Sequence, residues 1–461
     1  VFRKKSIDEW ALDYWLLQRY ARFAFHLYYR KIEIVNPNNI QKNQALIMAP
    51  NHQNALMDAM ILVCNTEFQH VFLARADIFK GKLLIRFLTY LNIMPIYRIR
   101  DGIDNVKRND EVFDKTLQVL RNKHNPLCVF PEGNHGDKRR LRQLVKGIFR
   151  IAFMAQRDYG DKPGVKIIPI GYDYGHYQHF RTTLFINVGK PIEVAEYNHA
   201  FEENPVQGIN QLKERFEKEL RKLMIDIQTT DYYDLYMHLR NVYNPVMCRK
   251  LDLQGKSLAD KFVADKRMID ALNVELVNHR ENIAHLNQLM QEYQAGLNKY
   301  GLRDWILQKE RYSLVHLCTH MCRMILLTPL FLWGFFNNYL PYWLTASRVK
   351  TIKDPQFHSS YKFVIGMIAF PLWYLIVASV AIALPITWWI TAAWIVLLPA
   401  SGLVAFNHYL HAKKLRSKLL YTWLVLKRNK RILHLQEMRN TILNRMNDLI
   451  ARSVQNNEIE R

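Results

Sequence analysis

A histidine and an aspartate with five residues between them are the first candidates for chemistry in this chain of 461 residues. Asn51-His52-Gln53-Asn54-Ala55-Leu56-Met57-Asp58 follows the apolar run 45–49 and precedes a helical pattern. Asn54 is suited to cap that helix, which leaves His52 in the preceding loop and Asp58 in the first turn. A carboxylate so placed can fix the imidazole tautomer and stabilise the imidazolium. The second ring nitrogen can then take a proton from a hydroxyl attacking a thioester. A capping loop with a solvated histidine is the competing reading.

Three further segments carry suitable residue types. Phe130-Pro131-Glu132-Gly133-Asn134-His135-Gly136 follows the apolar run 127–130 and leads into Asp137-Lys138-Arg139-Arg140-Leu141-Arg142. Its glycines permit close backbone approach, its basic cluster offers cations to a phosphate, and Glu132 could accept hydrogen bonds from a polyol. A surface turn before a basic helix would have the same composition. Asn92-Ile93-Met94-Pro95-Ile96-Tyr97-Arg98-Ile99-Arg100 reads as a strand ending in two guanidinium groups, which bind phosphate as a bidentate fork, unless they are simply surface arginines. Ile167-Ile168-Pro169-Ile170 reads as a strand whose proline marks an edge or a local bend.

The elements that must position these residues alternate. Apolar runs at 45–49, 71–74, 127–130, 165–170 and 184–188 read as strands, and 54–63, 111–120 and 144–157 carry helical spacing, so 37–204 reads as an α/β domain. Residues 1–36 interleave Trp10, Tyr14, Trp15, Tyr20, Phe23 and Tyr28 with Arg and Lys, which suits an amphipathic helix at a lipid interface or a packing helix of the main domain. Residues 205–310 become long charged helices. Ile269, Leu272, Leu276, His279, Ile283, Leu286, Met290 and Tyr293 follow the spacing of a coiled-coil seam, with His279 as its polar register residue. That seam could close within one chain or build a homo-oligomer.

Region 311–412 carries the membrane signal. Residues 363–406 contain no charged side chain and are about twice the length of one bilayer-spanning helix, so they read as a transmembrane hairpin reversing near Leu384-Pro385-Ile386-Thr387. Lys350, Lys353 and Lys362 before it, and Lys413, Lys414, Arg416 and Lys418 after it, place both ends on the cytoplasmic face. The shorter run within 324–344 reads as re-entrant or interfacial. Residues 413–461 resume a basic helical pattern that reads as a surface-bound or bundle-forming C-terminal helix.

Composition narrows the partners. The formal net charge of +23 favours anionic ones, and its clustering around a hydrophobic hairpin points to anionic membrane lipids rather than nucleic acid, for which no recognition motif is present. Five scattered cysteines suit a reducing compartment. His316, Cys318, His320 and Cys322 fall on nearly opposite helical faces, so no metal site is expected there. No cleavable secretion signal is evident at the N-terminus.

Taken in order, the four motifs of 40–200 resemble those of the glycerolipid acyltransferase superfamily. The resemblance implies an α/β acyltransferase domain followed by an α-helical hairpin or bundle region and C-terminal transmembrane helices. It makes His52 the general base, Asp58 its orienting partner, Arg98 a phosphate contact, Glu132 and Gly133 acceptor-site residues, and Pro169 a shaper of the acyl-binding side. Arg100, Lys138 and Arg139 join these as substrate-binding cations. Transfer would run directly from acyl-CoA or acyl carrier protein, with no acyl-enzyme, cofactor or metal.

The superfamily separates its His and Asp by four residues. Inside one regular helix the five-residue gap here would turn the two side chains about 120° apart, so His52 must precede the helix. The gap also resembles the fungal-type glycerol-3-phosphate and dihydroxyacetone-phosphate acyltransferases, which favours those acceptors over lysophosphatidate. Asn134 stands where the superfamily usually has Thr. A basic, helix-rich, anionic-lipid-binding scaffold with a vestigial His–Asp pair is the alternative from another class.

Overall fold

The computed structural model describes residues 10–97 and 109–459; Arg98 and Arg100 lie outside them. The chain divides into two compact units, Val1–Asp226 with Thr351–Val364, and Ile227–Lys350 with Ile365–Arg461.

The first unit runs α1 (Leu12–Tyr28), β1 (Lys31–Val35), β2 (Ala45–Pro50), α2 (Ala55–Asn65), β3 (Val71–Arg75), α3 (Lys82–Tyr90), β4 (Ile93–Ile96), α4 (Asn109–Asn122), β5 (Leu127–Cys128), α5 (Gly147–Gln156), β6 (Val165–Tyr174), β7 (Thr183–Val188), β8 (Ile192–Glu193), α6 (Asn198–Glu203) and α7 (Pro205–Leu223). Among the described residues the strands form one sheet in the order β1-β7-β6-β2-β5-β3-β4, with β8 also beside β6. Pairing is parallel except where β6 meets β7 and β8. Every residue of β2 is buried, as a central parallel strand covered on both faces requires. Parallel strands deliver their C-terminal ends to one edge of the sheet, so the loops after β2, β3 and β5 converge there.

Three features depart from expectation. The first 36 residues contain more than a helix: Lys31–Val35 is a strand against β7. On α1, Tyr14, Gln18, Ala21, Phe25 and Tyr28 are buried, while Leu12, Leu16, Tyr20 and Phe23 remain exposed. The helical region does not begin at 205. Asn204 accepts hydrogen bonds from the N–H groups of Val206 and Gln207, Pro205 fits the first helical position, and α7 buries Ile209, Leu212, Phe216 and Leu220 in the core of the α/β unit. Fully buried Leu212 and Phe216 each contribute roughly 1.5–3 kcal/mol to that union.

Pro169 is the third departure. It lies in β6, an interior strand, paired with Ala49. Its missing N–H is tolerated because it falls where the neighbour of β6 changes from β8 to β7. Gly189 still donates to the Pro169 carbonyl at 2.9 Å. The Gly189 carbonyl, which a proline cannot serve, accepts from Asn39 Nδ2 at 3.0 Å. α3 buries no residue, and Leu83, Leu84, Ile85 and Phe87 are exposed.

The second unit is helical: α8 (Tyr233–Val242), α9 (Asn244–Lys250), α10 (Leu258–Asn278), α11 (Arg280–Tyr300), α12 (Asp304–Leu307), α13 (Leu314–Leu326), α14 (Thr328–Lys350), most of α15 (His358–Ala383), α16 (Trp388–Leu426) and α17 (Lys430–Ile459). The seam is not one continuous helix. His279 is the break between α10 and α11, half exposed and 3.5 Å from Glu275, rather than a register residue. Ile269, Leu272, Ile283, Leu286, Met290 and Tyr293 are buried, and α17 packs along both α10 and α11.

α15, extended back to Pro355, and α16 are long and apolar enough to cross a membrane, with the break between them at 384–387. α13 and α14, bent by 50°, would add a third span if counted as one. α14 packs closely on α16, where Asn338 Nδ2 donates to Ser401 Oγ at 2.9 Å and Gly334 leaves no room for a Cβ. The C-terminal region does not start afresh at 413, because α16 continues unbroken to Leu426.

Candidate active site

α2 begins at Ala55, so His52 sits in the β2–α2 loop and Asp58 in the first turn; Asn54 occupies the N-cap position, but its side chain makes no capping hydrogen bond and is turned to the Tyr177 carbonyl. Asp58 is fully buried. His52 Nδ1 lies 2.8 Å from Asp58 Oδ2, and the same oxygen accepts the backbone N–H groups of Gln53 and Asn54, each at 2.7 Å. The Tyr174 hydroxyl donates to Asp58 Oδ1. Burial and the adjacent Asp58 charge hold that phenol well above its usual range, so Tyr174 remains a donor. Four donors thus fix one carboxylate, and the carboxylate fixes the imidazole. Ala55, at φ +42°, provides the left-handed turn that folds the Gln53 and Asn54 amides over Asp58.

The 130–136 loop supports the imidazole from below. Phe130 stacks on the His52 ring at 4.0 Å between centroids and 18° between planes. Glu132 receives the His52 backbone N–H at 2.8 Å on one oxygen and that of Arg142 at 3.2 Å on the other. It therefore ties two loops together, a role closer to framework than to the polyol contact expected of it. Gly133 is exposed with φ +65°, and a Cβ there would come within 3.1 Å of Val145. Gly136 N donates to the His52 carbonyl at 3.1 Å.

Burial pushes the Glu132 carboxyl from 4.5 up to about 7, against the two backbone donors that oppose the shift. Its pKa is raised on folding, so its stabilisation is complete below about pH 4.5 and is lost as pH rises through 7. The charged form costs about 3 kcal/mol of folding free energy. Glu132→Gln should therefore flatten the fall in melting temperature between pH 4.5 and 7 relative to the parent. Parallel curves for the two proteins would contradict this account.

Arg139 corrects an expectation. Read as a substrate cation, it is buried, donates from Nε to Asp173 Oδ1 at 2.7 Å, and reaches the Tyr174 carbonyl. It anchors the loop to the end of β6. Arg139→Ala should cost about 3–5 kcal/mol by removing a buried charge partner of Asp173, with acceptor KM little changed. A raised KM at unchanged melting temperature would restore the substrate role. Lys138 is exposed near the loop. Pro169 is not among the residues gathered around His52.

Sequence reasoning missed Tyr174, Phe130 and the Asn51 latch, in which Asn51 Oδ1 accepts from Tyr172 N at 2.7 Å and Asn51 Nδ2 donates to the Tyr172 carbonyl at 3.3 Å. The tyrosines at alternate positions near the end of β6 were the available signal for Tyr174. It also missed His135, whose ring centroid is 5.5 Å from that of His52. Burial, then the nearby His52, push the His135 imidazole below its ordinary value.

A buried carboxylate thus orients a histidine at the C-terminal edge of a mostly parallel sheet, an arrangement able to serve as a general base. Residues 31–173 match the family model described as Acyltransferase, and this α/β segment is an acyltransferase domain. The chain is similar to glycerol-3-phosphate O-acyltransferase 2 of Saccharomyces cerevisiae, at 25% identity over 45% of this chain and 26% of that protein. It is likewise similar to glycerol-3-phosphate O-acyltransferase 1 of the same yeast, at 25% identity over 44% of this chain and 26% of that protein. The matched region spans about a quarter of the length of these two relatives. The crystal structure of the 1-acyl-sn-glycerophosphate (LPA) acyltransferase PlsC from Thermotoga maritima aligns with a TM-score of 0.32 and 18% identity, covering 45% of this chain and 78% of that one. At that overlap no residue correspondence is drawn from it.

Proposed function

We propose that the chain is a membrane-bound O-acyltransferase that moves a fatty acyl group from acyl-CoA or acyl carrier protein to a hydroxyl of glycerol 3-phosphate or dihydroxyacetone phosphate. The observation that carries this reading is the His52 ring, held through Nδ1 at 2.8 Å by fully buried Asp58, with Nε2 on its opposite edge. Nε2 takes the acceptor's proton as the hydroxyl oxygen attacks the thioester carbonyl. The carbon–oxygen bond forms, the carbon–sulfur bond breaks, and the imidazolium returns the proton to the leaving thiolate. No acyl-enzyme or cofactor enters the sequence.

The acceptor phosphate would meet cations at this edge. Arg75 ends β3 and contacts Asn134 Oδ1 at 3.3 Å, and Lys138 and Arg142 flank the 130–136 loop; Arg98 and Arg100, outside the described residues, are proposed as further phosphate cations on their sequence motif alone. The exposed apolar faces of α1 and α3, with Lys80, Lys82 and Arg86 beside the latter, suit an anionic leaflet. The lysines and arginines flanking 363–406 support a cytoplasmic catalytic face. The names of the two yeast relatives and the five-residue His–Asp gap favour an unacylated glycerol phosphate.

The test is an acceptor panel with the purified chain in vesicles. Labelled acyl-CoA and acyl carrier protein are each offered glycerol 3-phosphate, dihydroxyacetone phosphate and lysophosphatidate. Transfer to either of the first two is the expected outcome. Transfer to lysophosphatidate alone would move the acceptor, and vesicle binding without thioester consumption would leave a lipid-binding scaffold in place of an enzyme.

A further inference from the structure

The first unit is completed by a segment far outside the matched family domain. Thr351–Val364 belongs to that unit and is fastened to it along its length. Asp354 caps the segment by accepting the Gln356 N–H at 3.0 Å. Phe357 meets the His135 ring edge-on at 4.9 Å. Ser359 Oγ donates to Asn54 Oδ1 at 2.5 Å, with both residues fully buried. Lys362 Nζ donates to the Gln178 carbonyl at 2.8 Å, and Phe363 packs edge-on against Phe25 and Tyr28.

These contacts converge on the His52 site through two links. Asn54 is the residue whose N–H donates to Asp58 Oδ2 at 2.7 Å, and its side chain is held at both ends, by Ser359 on Oδ1 and by its own donation to the Tyr177 carbonyl at 3.2 Å. Without the Ser359 hydroxyl, a carbonyl oxygen in a buried place loses its donor, and the amide has reason to turn. The second link is His135. Its Nε2 is buried and makes no hydrogen bond among the described residues, and Asp354 Oδ2 lies 3.9 Å away.

We infer that the 351–364 strap is a positioning element of the acyl-transfer site, with Ser359 acting through Asn54 on the Asp58 carboxylate and Asp354 and Phe357 setting His135 beside His52. This rests on the acyl-transfer reading, but the arrangement of His52 can be read without it.

The experiment uses the full chain in vesicles and compares the parent with Ser359→Ala, Asn54→Ala, the double variant, Asp354→Ala and, as a half-buried serine control outside the strap, Ser347→Ala. Two readouts are taken: steady-state acyl transfer, and the rate at which diethylpyrocarbonate modifies His52, followed by mass spectrometry with exposed His199 as internal reference. Ser359→Ala is expected to lower kcat roughly tenfold with donor KM unchanged. It should add little in the Asn54→Ala background, and it should slow His52 modification severalfold while His199 is unaffected. Asp354→Ala, a change at a half-exposed side chain, should lower kcat/KM for the acceptor severalfold even if the buried variant fails to fold. Parent-like kcat and His52 reactivity in folded Ser359→Ala, or effects of Ser359→Ala and Asn54→Ala that simply add, would overturn the inference, as would parent-like kcat/KM in Asp354→Ala. A parent that consumes no thioester, yet whose His52 reactivity falls on Ser359→Ala, would end the enzymatic reading and leave the positioning role standing.

Discussion

His52→Ala is expected to lower kcat for acyl transfer by roughly three to four orders of magnitude while leaving binding of the acyl donor nearly intact. The site puts one nitrogen of this ring on a buried carboxylate and leaves the other on the opposite edge, and alanine removes the group that the proposed mechanism uses for proton transfer. The ring is partly exposed and its backbone N–H continues to reach Glu132, so the variant should melt close to the parent. Steady-state rates with saturating acceptor, alongside melting curves, check both parts. A loss of less than about tenfold would mean that His52 is not the base.

Asp58→Asn should lose a comparable factor, roughly a thousandfold or more, for a different reason. An amide at this position presents one oxygen and one NH2 where the carboxylate presents two acceptors. Four donors converge there: His52 Nδ1, the Gln53 and Asn54 amides, and the Tyr174 hydroxyl. With the NH2 on the Oδ2 side three donors face a donor or His52 moves its proton to Nε2, and with it on the Oδ1 side the Tyr174 hydroxyl must turn to accept and its own proton loses its partner; either way the negative charge beside the imidazole is gone. The variant should therefore lose stability as well as rate, which separates it from His52→Ala. Lowered melting temperature with unchanged kcat would reduce Asp58 to a residue that shapes the loop.

Much of this site was legible because its local parts are close in sequence. The apolar runs of β2, β3, β6 and β7, the helical pattern starting after Asn54 and the five-residue gap placed His52 outside the helix and Asp58 within its first turn, as the structure has them, although the Asn54 side chain does not cap the helix. Side chains whose partners lie far along the chain were not legible. Arg139 looked like a free cation because Asp173, 34 residues away, cannot be paired with it without knowing that β6 ends beside the loop. Glu132 looked like a ligand because backbone N–H groups leave no mark in a sequence. β1 was lost in an aromatic, basic stretch because four alternating residues are a weak signal beside a helix. Ser359, separated from Asn54 by 305 positions, had no local pattern at all.

The discontinuity of the first unit also sets a schedule for biosynthesis. Residues 227–350 emerge between its two parts, and at about 5–20 residues per second the strap leaves the ribosome roughly 6–25 seconds after the α/β segment is complete. A nascent chain paused in that interval holds the sheet, the His–Asp pair and the 130–136 loop, but Asn54 still lacks the Ser359 hydroxyl. The Ser359 contact is made by the opening turn of an apolar helix long enough to cross a membrane, so under the positioning role inferred above the site is completed only when that helix has begun to emerge. The interval before then is when a chaperone would find the unit still open.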